Sequence, residues 1–330
     1  MMKSMSTEGE ILVSVVMPMR NAEAYVQDAL QSVLQEHGIE FEVVVVDDGS
    51  TDRSRALVLA LGDRRVRVID GPCKGFAASL NTGLRAAHGR AVVQCDADDR
   101  LPIGRLPRQW EWLMAHPAHA AVCAAFSTID SKGRAIADMG ERIGLAEQDI
   151  QSELSTGVTR TSLCTYMLRR EVFDQIGYLR EYFESSPDID FQLRIGEQLR
   201  VGYDPFNSYY YRLHDESVTH SQTTVRRIFF EQTCRRFQQQ RLSRGSDDLF
   251  DGNPPAAPIQ ASSAPPGSAS HIQGMLVGEA WRTFAAGQTT SALGLAWRAV
   301  VKKPVAIAAW RALLLIALRG LLRALQSTTS

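Results

Sequence analysis

The chain has 330 residues, with 36 Lys+Arg against 37 Asp+Glu and a formal net charge of -1. That balance excludes a general nucleic-acid binder, which carries a clear positive excess. Hydrophobic residues make up 45% and charged residues 22%, a globular composition, and the length predicts two units plus a tail.

The polar start MMKSMSTEGE has no apolar core or cleavage site and does not read as a secretion signal. Residues Ile11 to Met17 (ILVSVVM) predict a strand that ends at Pro18, apolar enough to be buried on both faces. Tyr25, Val26, Ala29, Leu30, Val33 and Leu34 then repeat at helical spacing, with Asn21 as N-cap and Gly38 as stop. Phe41 to Val46 (FEVVVV) predicts a second buried strand. DDGSTD is a turn and Arg53 to Leu61 a helix. Val66 to Ile69 is a strand, GPCKG a loop, and Phe76 to Ala87 a helix closed by Gly89. Ala91 to Cys95 (AVVQC) is the fourth strand. Strands alternating with helices on short loops predict a doubly wound α/β sheet, with ligands beyond the carboxyl ends of its strands.

From Leu101 to Tyr211 the pattern loosens. A helix (Leu106 to Ala115), strands at Ala121 to Phe126 and Leu163 to Leu168, a helix from Asp188 to Glu197 and a strand at Asn207 to Leu213 are expected. Val225 to Leu242 reads as an amphipathic helix. Residues 243–270, rich in Pro, Ser, Gly and Ala, read as a linker that separates a domain at 1–242 from a helical extension at 271–330. That extension holds a helical stretch from Ala280 to Val301 and the run PVAIAAWRALLLIALRGLLRAL. Arg311, Arg319 and Arg323 argue against its crossing a membrane. A helix lying on an anionic membrane surface and a helix packed on its neighbour both fit.

The five cysteines are too dispersed for a zinc pair and read as buried small side chains in a reducing, cytoplasmic compartment. The sharpest chemical signal is DADD, Asp96 to Asp99, at the end of a buried strand. Carboxylates this close repel, and a divalent cation relieves the repulsion. On an extended chain Asp96 and Asp98 point the same way. A solvated acidic turn is the plain alternative. In DDGSTD, a carboxylate can accept hydrogen bonds from a base or ribose while Ser50 or Thr51 caps the next helix. Asp190 lies four residues before Arg194 and predicts an i,i+4 ion pair, which leaves Asp188 the freer candidate for a general base. His214 follows a strand-like run and suits a phosphate or a metal, although a lone His is more often structural.

Taken together, VSVVMPMRNAEAYVQDALQSVL, FEVVVVDDGSTDRS, GFAASLNTGLRAAHGR and DADD resemble the family 2 glycosyltransferases with the GT-A fold, over Val13 to Pro102. LRREVFDQIGYL, PDIDFQLRI and YYYRLHDESVTH resemble that family's second half. The resemblance implies a GT-A type, mostly parallel sheet with helices on both faces, and a C-terminal helical extension. It places Pro18, Arg20 and Asn21 on a nucleotide-contacting loop and Asp48 on the base. It places Asp96 and Asp98 on the ribose, diphosphate and metal, His214 near the metal or diphosphate, and Asp188 as catalytic base. Pro187 stands where the family has Glu, and Leu80 where it often has Arg.

The implied reaction is inverting transfer of one sugar from a nucleotide-diphosphate donor, commonly UDP, to a carbohydrate or lipid-linked hydroxyl, with Mg²⁺ or Mn²⁺. Polysaccharide or glycolipid synthesis, with the C-terminal helices at the inner face of a membrane, is the implied setting. A nucleotidyltransferase uses similar parts but needs a glycine-rich basic loop after the first strand, where this chain has MRNAEAY. A non-catalytic nucleotide-sugar binding module is the other alternative.

Overall fold

Two valine-rich runs set the centre of the parallel part of the sheet. In the computed structural model, which describes residues 10–140, 144–214, 224–258 and 268–327, these runs are β1 (Val13–Met19) and β2 (Phe41–Asp47). The N-terminal nine residues, the DESVTH run and residues 259–267 of the expected linker lie outside the described residues. With β3 (Val66–Asp70) and β4 (Ala91–Gln94), the two runs form a parallel set in the order β3-β2-β1-β4. Helices α1 (Val26–Leu34), α2 (Ser54–Ala60) and α3 (Phe76–Ala86) make the crossovers.

Alternate residues of β1 serve opposite faces. Val13, Val15 and Met17 join one core with Val26, Ala29 and Leu30, whereas Val16 joins another with Ala77, Leu80 and Leu84. Both faces are therefore covered, which explains a run with no polar alternation. Each fully buried valine contributes roughly 1.5–3 kcal/mol relative to an exposed one.

The chain has a mixed second half. After α4 (Arg105–Ala115) come β5 (His119–Asp130), β6 (Ala135–Asp138), β7 (Gln148–Asp149) and α5 (Gln151–Ser155). A 3-10 turn (Leu163–Thr165), β8 (Met167–Arg169), α6 (Glu171–Ile176), α7 (Pro187–Gln198), β9 (Arg200–Leu213) and α8 (Thr224–Arg244) follow. Among the described residues the sheet has nine strands, its main path being β3-β2-β1-β4-β8-β5-β9-β7, with β8 antiparallel to β4 and to β5.

Several expected boundaries move. β1 runs through Pro18 to Met19 instead of stopping before it. Cys95 N–H donates to Val16 O and Asp48 N–H to Met19 O, so Pro18 faces the β4 side, where β4 has already ended at Gln94 and no partner needs its missing N–H. Asn21 is not the helix cap. The cap is Tyr25, and Asn21 instead takes a left-handed φ of 51°. The run Leu163 to Leu168 splits into the 3-10 turn and the short β8.

The chain divides into two compact units. The first takes in Met1–Phe126, Met139–Tyr211 and Val225–Pro258. It therefore includes the front of the stretch read as a linker. Asp247 is fully buried there, accepting hydrogen bonds from Arg180 (2.6 Å) and Arg241 (2.5 Å), and a buried ion pair replaces the apolar surface that this segment lacks.

The second unit takes in Ser127–Asp138, Arg212–Thr224 and Ile259–Ser330. Its helices are α9 (Ser268–Ala285), α10 (Thr289–Lys302) and α11 (Ile307–Ser327), packed around Ala280, Phe284, Ala292, Ala296 and Ile316. The expected stretch Ala280 to Val301 is broken at Gly287, whose φ of +83° turns the chain between α9 and α10. Among the described residues no helix is long and apolar enough to cross a membrane.

Candidate functional site

Four loops of the first unit follow the carboxyl ends of its parallel strands, where open α/β sheets bind ligands. The loops after β1 and β2 are stitched together. Thr51 N–H donates to Asn21 Oδ1 at 2.8 Å, Asn21 N–H to Ser50 Oγ at 3.1 Å, and Ala22 N–H to Ser54 Oγ at 2.7 Å. Asn tolerates the left-handed backbone that aims its amide across the gap. Arg20, next to it, is exposed.

The two acids of the DDGS turn divide the work. Asp47 accepts from Ser50 N–H at 3.0 Å and from Arg55 at 3.2 Å. Burial works to raise its pKa, but the Ser50 bonds and the Arg55 charge outweigh it and hold the carboxyl below the ordinary range. Asp48 faces the loop after β3, with Cys73 N–H donating to Oδ1 at 2.7 Å and Gly75 N–H to Oδ2 at 3.2 Å. A carboxylate has about four acceptor positions, so these bonds leave room for a ligand donor.

The DADD loop is braced on several sides. Asp96 N–H donates to the buried Tyr209 hydroxyl at 2.9 Å, and Gln94 donates to Asp96 Oδ1 at 2.7 Å. Downstream, Leu101 N–H reaches Ser32 Oγ at 3.0 Å, Arg100 pairs with Asp28, and Arg100 bridges to Tyr210. Burial, together with the charges of Asp98 and Asp188, pushes the Asp96 carboxyl up to about 7 against the opposing Gln94 bond. The charge at the start of α7 is thus felt at the loop after β4.

Helix α7 begins abruptly. Ser186 adopts a left-handed φ of 59°, and Pro187 occupies the first turn, where its missing N–H costs nothing. Asp188 follows. Burial raises its pKa, Glu231 adds to the rise, and backbone N–H groups at Ile189 and at Asp188 itself oppose it. Asp190 is spent otherwise: it is fully buried and bonded to Arg180 (2.9 Å) and, as expected, to Arg194 (3.0 Å).

The structure thus brings Asp96, Asp98 and Asp188 into one electrostatic group and puts Pro18, Arg20, Asn21 and Asp48 on neighbouring strand ends or loops. His214 is buried at the end of β9 and is counted to the second unit.

Sequence reasoning passed over the supports. Tyr209 lies in the strand expected at Asn207 to Leu213, but three consecutive tyrosines do not tell which of them is buried. Arg105, fully buried beneath with its guanidinium on the Cys164 and Tyr166 carbonyls (2.7 and 3.2 Å), carried no signal in its local pattern. Leu80, where the family often has Arg, lies in the core, and its neighbour Asn81 clamps Leu179 through both backbone groups at 2.8 and 3.0 Å.

The acids fit a divalent cation. A carboxyl pushed up to about 7 by burial, with like charges adding to it, is one that a cation would return to its ionised form. Among the described residues no three His, Cys, Asp or Glu close into a cage.

A family model described as "Glycosyl transferase family 2" matches residues 14–177. The succinoglycan biosynthesis protein ExoO of Rhizobium meliloti (strain 1021) is 31% identical over 194 residues, covering 58% of this chain and 53% of that protein. The glucosyltransferase of Escherichia coli named UDP-Glc:alpha-D-GlcNAc-diphosphoundecaprenol beta-1,3-glucosyltransferase WfgD is 37% identical over 101 residues, covering 30% of this chain and 40% of that protein. The chain therefore spans about half the length, or less, of these two relatives. The crystal structure of S. aureus TarS 1-349 in complex with UDP-GlcNAc superposes with a TM-score of 0.56 at 17% identity, covering 81% of each chain. It supports the GT-A type fold. The fold, the order of the motifs and the family match agree: the chain belongs to glycosyl transferase family 2.

Proposed function

We propose that the chain transfers one sugar, with inversion, from a UDP-linked donor to an acceptor hydroxyl in polysaccharide or glycolipid synthesis. The observation that carries this reading is the buried Asp96 carboxyl beyond the end of β4, raised by burial and by the charges of Asp98 and Asp188. A buried carboxyl whose ionised form is disfavoured by neighbouring acids is one that a cation would stabilise in the ionised form. The UDP-Glc in one relative's printed name and the neighbour's UDP-GlcNAc support the donor class, and the diphosphoundecaprenol in that same name supports a lipid-linked acceptor.

In this reading Pro18, Arg20, Asn21, Asp48 and Asp96 contact the nucleotide. Asp96 and Asp98 hold Mg²⁺ or Mn²⁺, and His214 is added to that set by family resemblance alone. A bound cation supplies positive charge where the leaving diphosphate gathers negative charge. Asp188 accepts the acceptor's hydroxyl proton on its carboxylate. Its raised pKa makes it a stronger base than an exposed Asp. Gln94 and Tyr209 fix Asp96, so that the loop is set before a ligand arrives.

The experiment is a panel of nucleotide sugars, with and without Mn²⁺, read as nucleoside diphosphate release with a polyprenol-linked sugar as acceptor. UDP release that needs the cation is the expected result. Pyrophosphate release from a nucleoside triphosphate would overturn the reading, as would UDP binding with no turnover of any donor.

A further inference from the structure

The core of the second unit sets alanines beside Phe284 and Ile316, and several large apolar side chains are left outside it. Ala280, Ala292 and Ala296 are fully buried, while Trp297 is 54% exposed, Leu314 65% and Leu321 61%. On α11, Trp310, Leu314, Leu318 and Leu321 are spaced three or four apart and share one face, and Trp297 and Val301 are one turn apart on α10. The two rows meet, because the rings of Trp297 and Trp310 stand edge to face with centroids 6.5 Å apart. The result is one continuous apolar strip across two helices. Folded chains rarely leave such a strip without a partner.

Its charge tells which partner. From Thr289 to Ser330 the sequence has Arg298, Lys302, Lys303, Arg311, Arg319 and Arg323, and no Asp or Glu. Arg298 is already paired with Asp130 at 3.0 Å and does not count toward a headgroup surface. A second copy, packed strip to strip about a two-fold axis, would set cations against cations. An anionic lipid surface answers both features: acyl chains accept the apolar row without shape matching, and headgroups answer the cations. Trp belongs at that boundary. Because no described helix can cross a bilayer, the strip would lie in its plane.

We infer that the Trp297–Trp310–Leu314 strip is a docking surface for an anionic bilayer. This inference stands apart from the glycosyl-transfer reading and does not need it.

The test is flotation of the full chain with phosphatidylcholine vesicles that carry about 30% phosphatidylglycerol, against vesicles of phosphatidylcholine alone. Binding should be at least about tenfold stronger to the anionic vesicles and should weaken in about 0.5 M salt. Brominated acyl chains should quench tryptophan fluorescence, and the Trp297→Phe, Trp310→Phe double variant should lose most of that quenching. Leu314→Glu with Leu318→Glu, checked by circular dichroism, should lose about tenfold or more in binding. If those glutamates unfold the unit, the quenching comparison decides by itself. The inference is overturned if the wild-type chain ignores anionic vesicles, if it floats unquenched, or if light scattering shows a dimer that Leu314→Glu dissociates while vesicles are left alone.

Discussion

Asp188, on the first turn of α7, adds its charge to the repulsion that raises the Asp96 carboxyl at the end of β4. The two come from opposite halves of the sequence, and their closeness makes the proposed base assignment testable. Asp188→Asn keeps the size and removes the negative charge. Transfer should fall by about 10²–10⁴ while UDP affinity stays within about threefold. Acceptor-dependent UDP release and UDP titration measure the two quantities. For the unchanged chain, the acid limb of kcat/KM should lie above the ordinary Asp range, because burial raises Asp188 and the base works only when ionised. Near wild-type turnover in the Asn variant would end the assignment.

Asp96 makes a separate statement about stability and pH. Its carboxyl rises from 3.8 to about 7 on folding. Between those values the folded chain holds a proton that the unfolded chain has released, so stability is largest below about 3.8 and falls as pH rises toward about 7. One pKa unit is worth about 1.4 kcal/mol, so even a third of this shift is a measurable loss. Asp96→Asn should flatten that part of the profile and raise the melting temperature at pH 7 relative to the unchanged, ligand-free chain. Denaturation across this range checks it. An Asn variant with the wild-type slope would show that Asp96 is ionised at little cost.

The parallel half was legible because β1, β2 and β4 are buried on both faces, which writes continuous apolar, valine-rich runs into the sequence. The antiparallel half was not. β9 begins seven residues before the expected Asn207, and its early part includes Asp204, whose charge is answered from α4 by Arg108 at 2.8 Å. Such a pairing erases the local alternation that marks a strand. The acids of the site stood out because each closes a buried strand or opens a helix. Asp190 was legible only as far as its own helix: Arg194 was expected, but Arg180 comes from the preceding loop, and Asp247 and Arg241 reach the cluster from much later in the chain. The Ser- and Gly-rich setting of Asp247 reads as a linker until its partners are known.

That cluster sets a third expectation. Asp190 is fully buried between Arg180 and Arg194, Asp247 between Arg180 and Arg241, and Arg241 also holds Glu197 at 2.9 Å. Removing one anion strands buried cations, which costs about 3–5 kcal/mol. Asp190→Ala should lower the unfolding free energy by that much. Arg180→Lys should also destabilise, because an ammonium cannot reproduce the forked contact with Asp190 and the bond to Asp247 together. The urea midpoint at constant slope is the measurement. A loss below about 1 kcal/mol for Asp190→Ala would mean that the network adds nothing net.

Gly71 gives the narrowest test of the nucleotide loop. Its N–H donates to Asp47 O at 2.8 Å, and a Cβ there would stand 2.7 Å from Asp48 Oδ1 and 2.8 Å from Asp48 Cα. The second neighbour is backbone and cannot swing away, so Gly71→Ala must push the 71–75 loop off Asp48 and weaken the bonds from Cys73 and Gly75. Overpacking of this kind costs about 1–3 kcal/mol. If Asp48 and this loop form the base pocket, donor KM should also rise about tenfold with kcat little changed, since uniform binding is what is lost. Gly62→Ala is the control. Its φ of +62° makes a substitution there costly for the backbone alone, and a Cβ there meets nothing within 4 Å. It should lose about 1 kcal/mol and leave donor KM untouched. Equal donor KM in the two variants would remove Asp48 from the nucleotide site and leave it as a loop anchor.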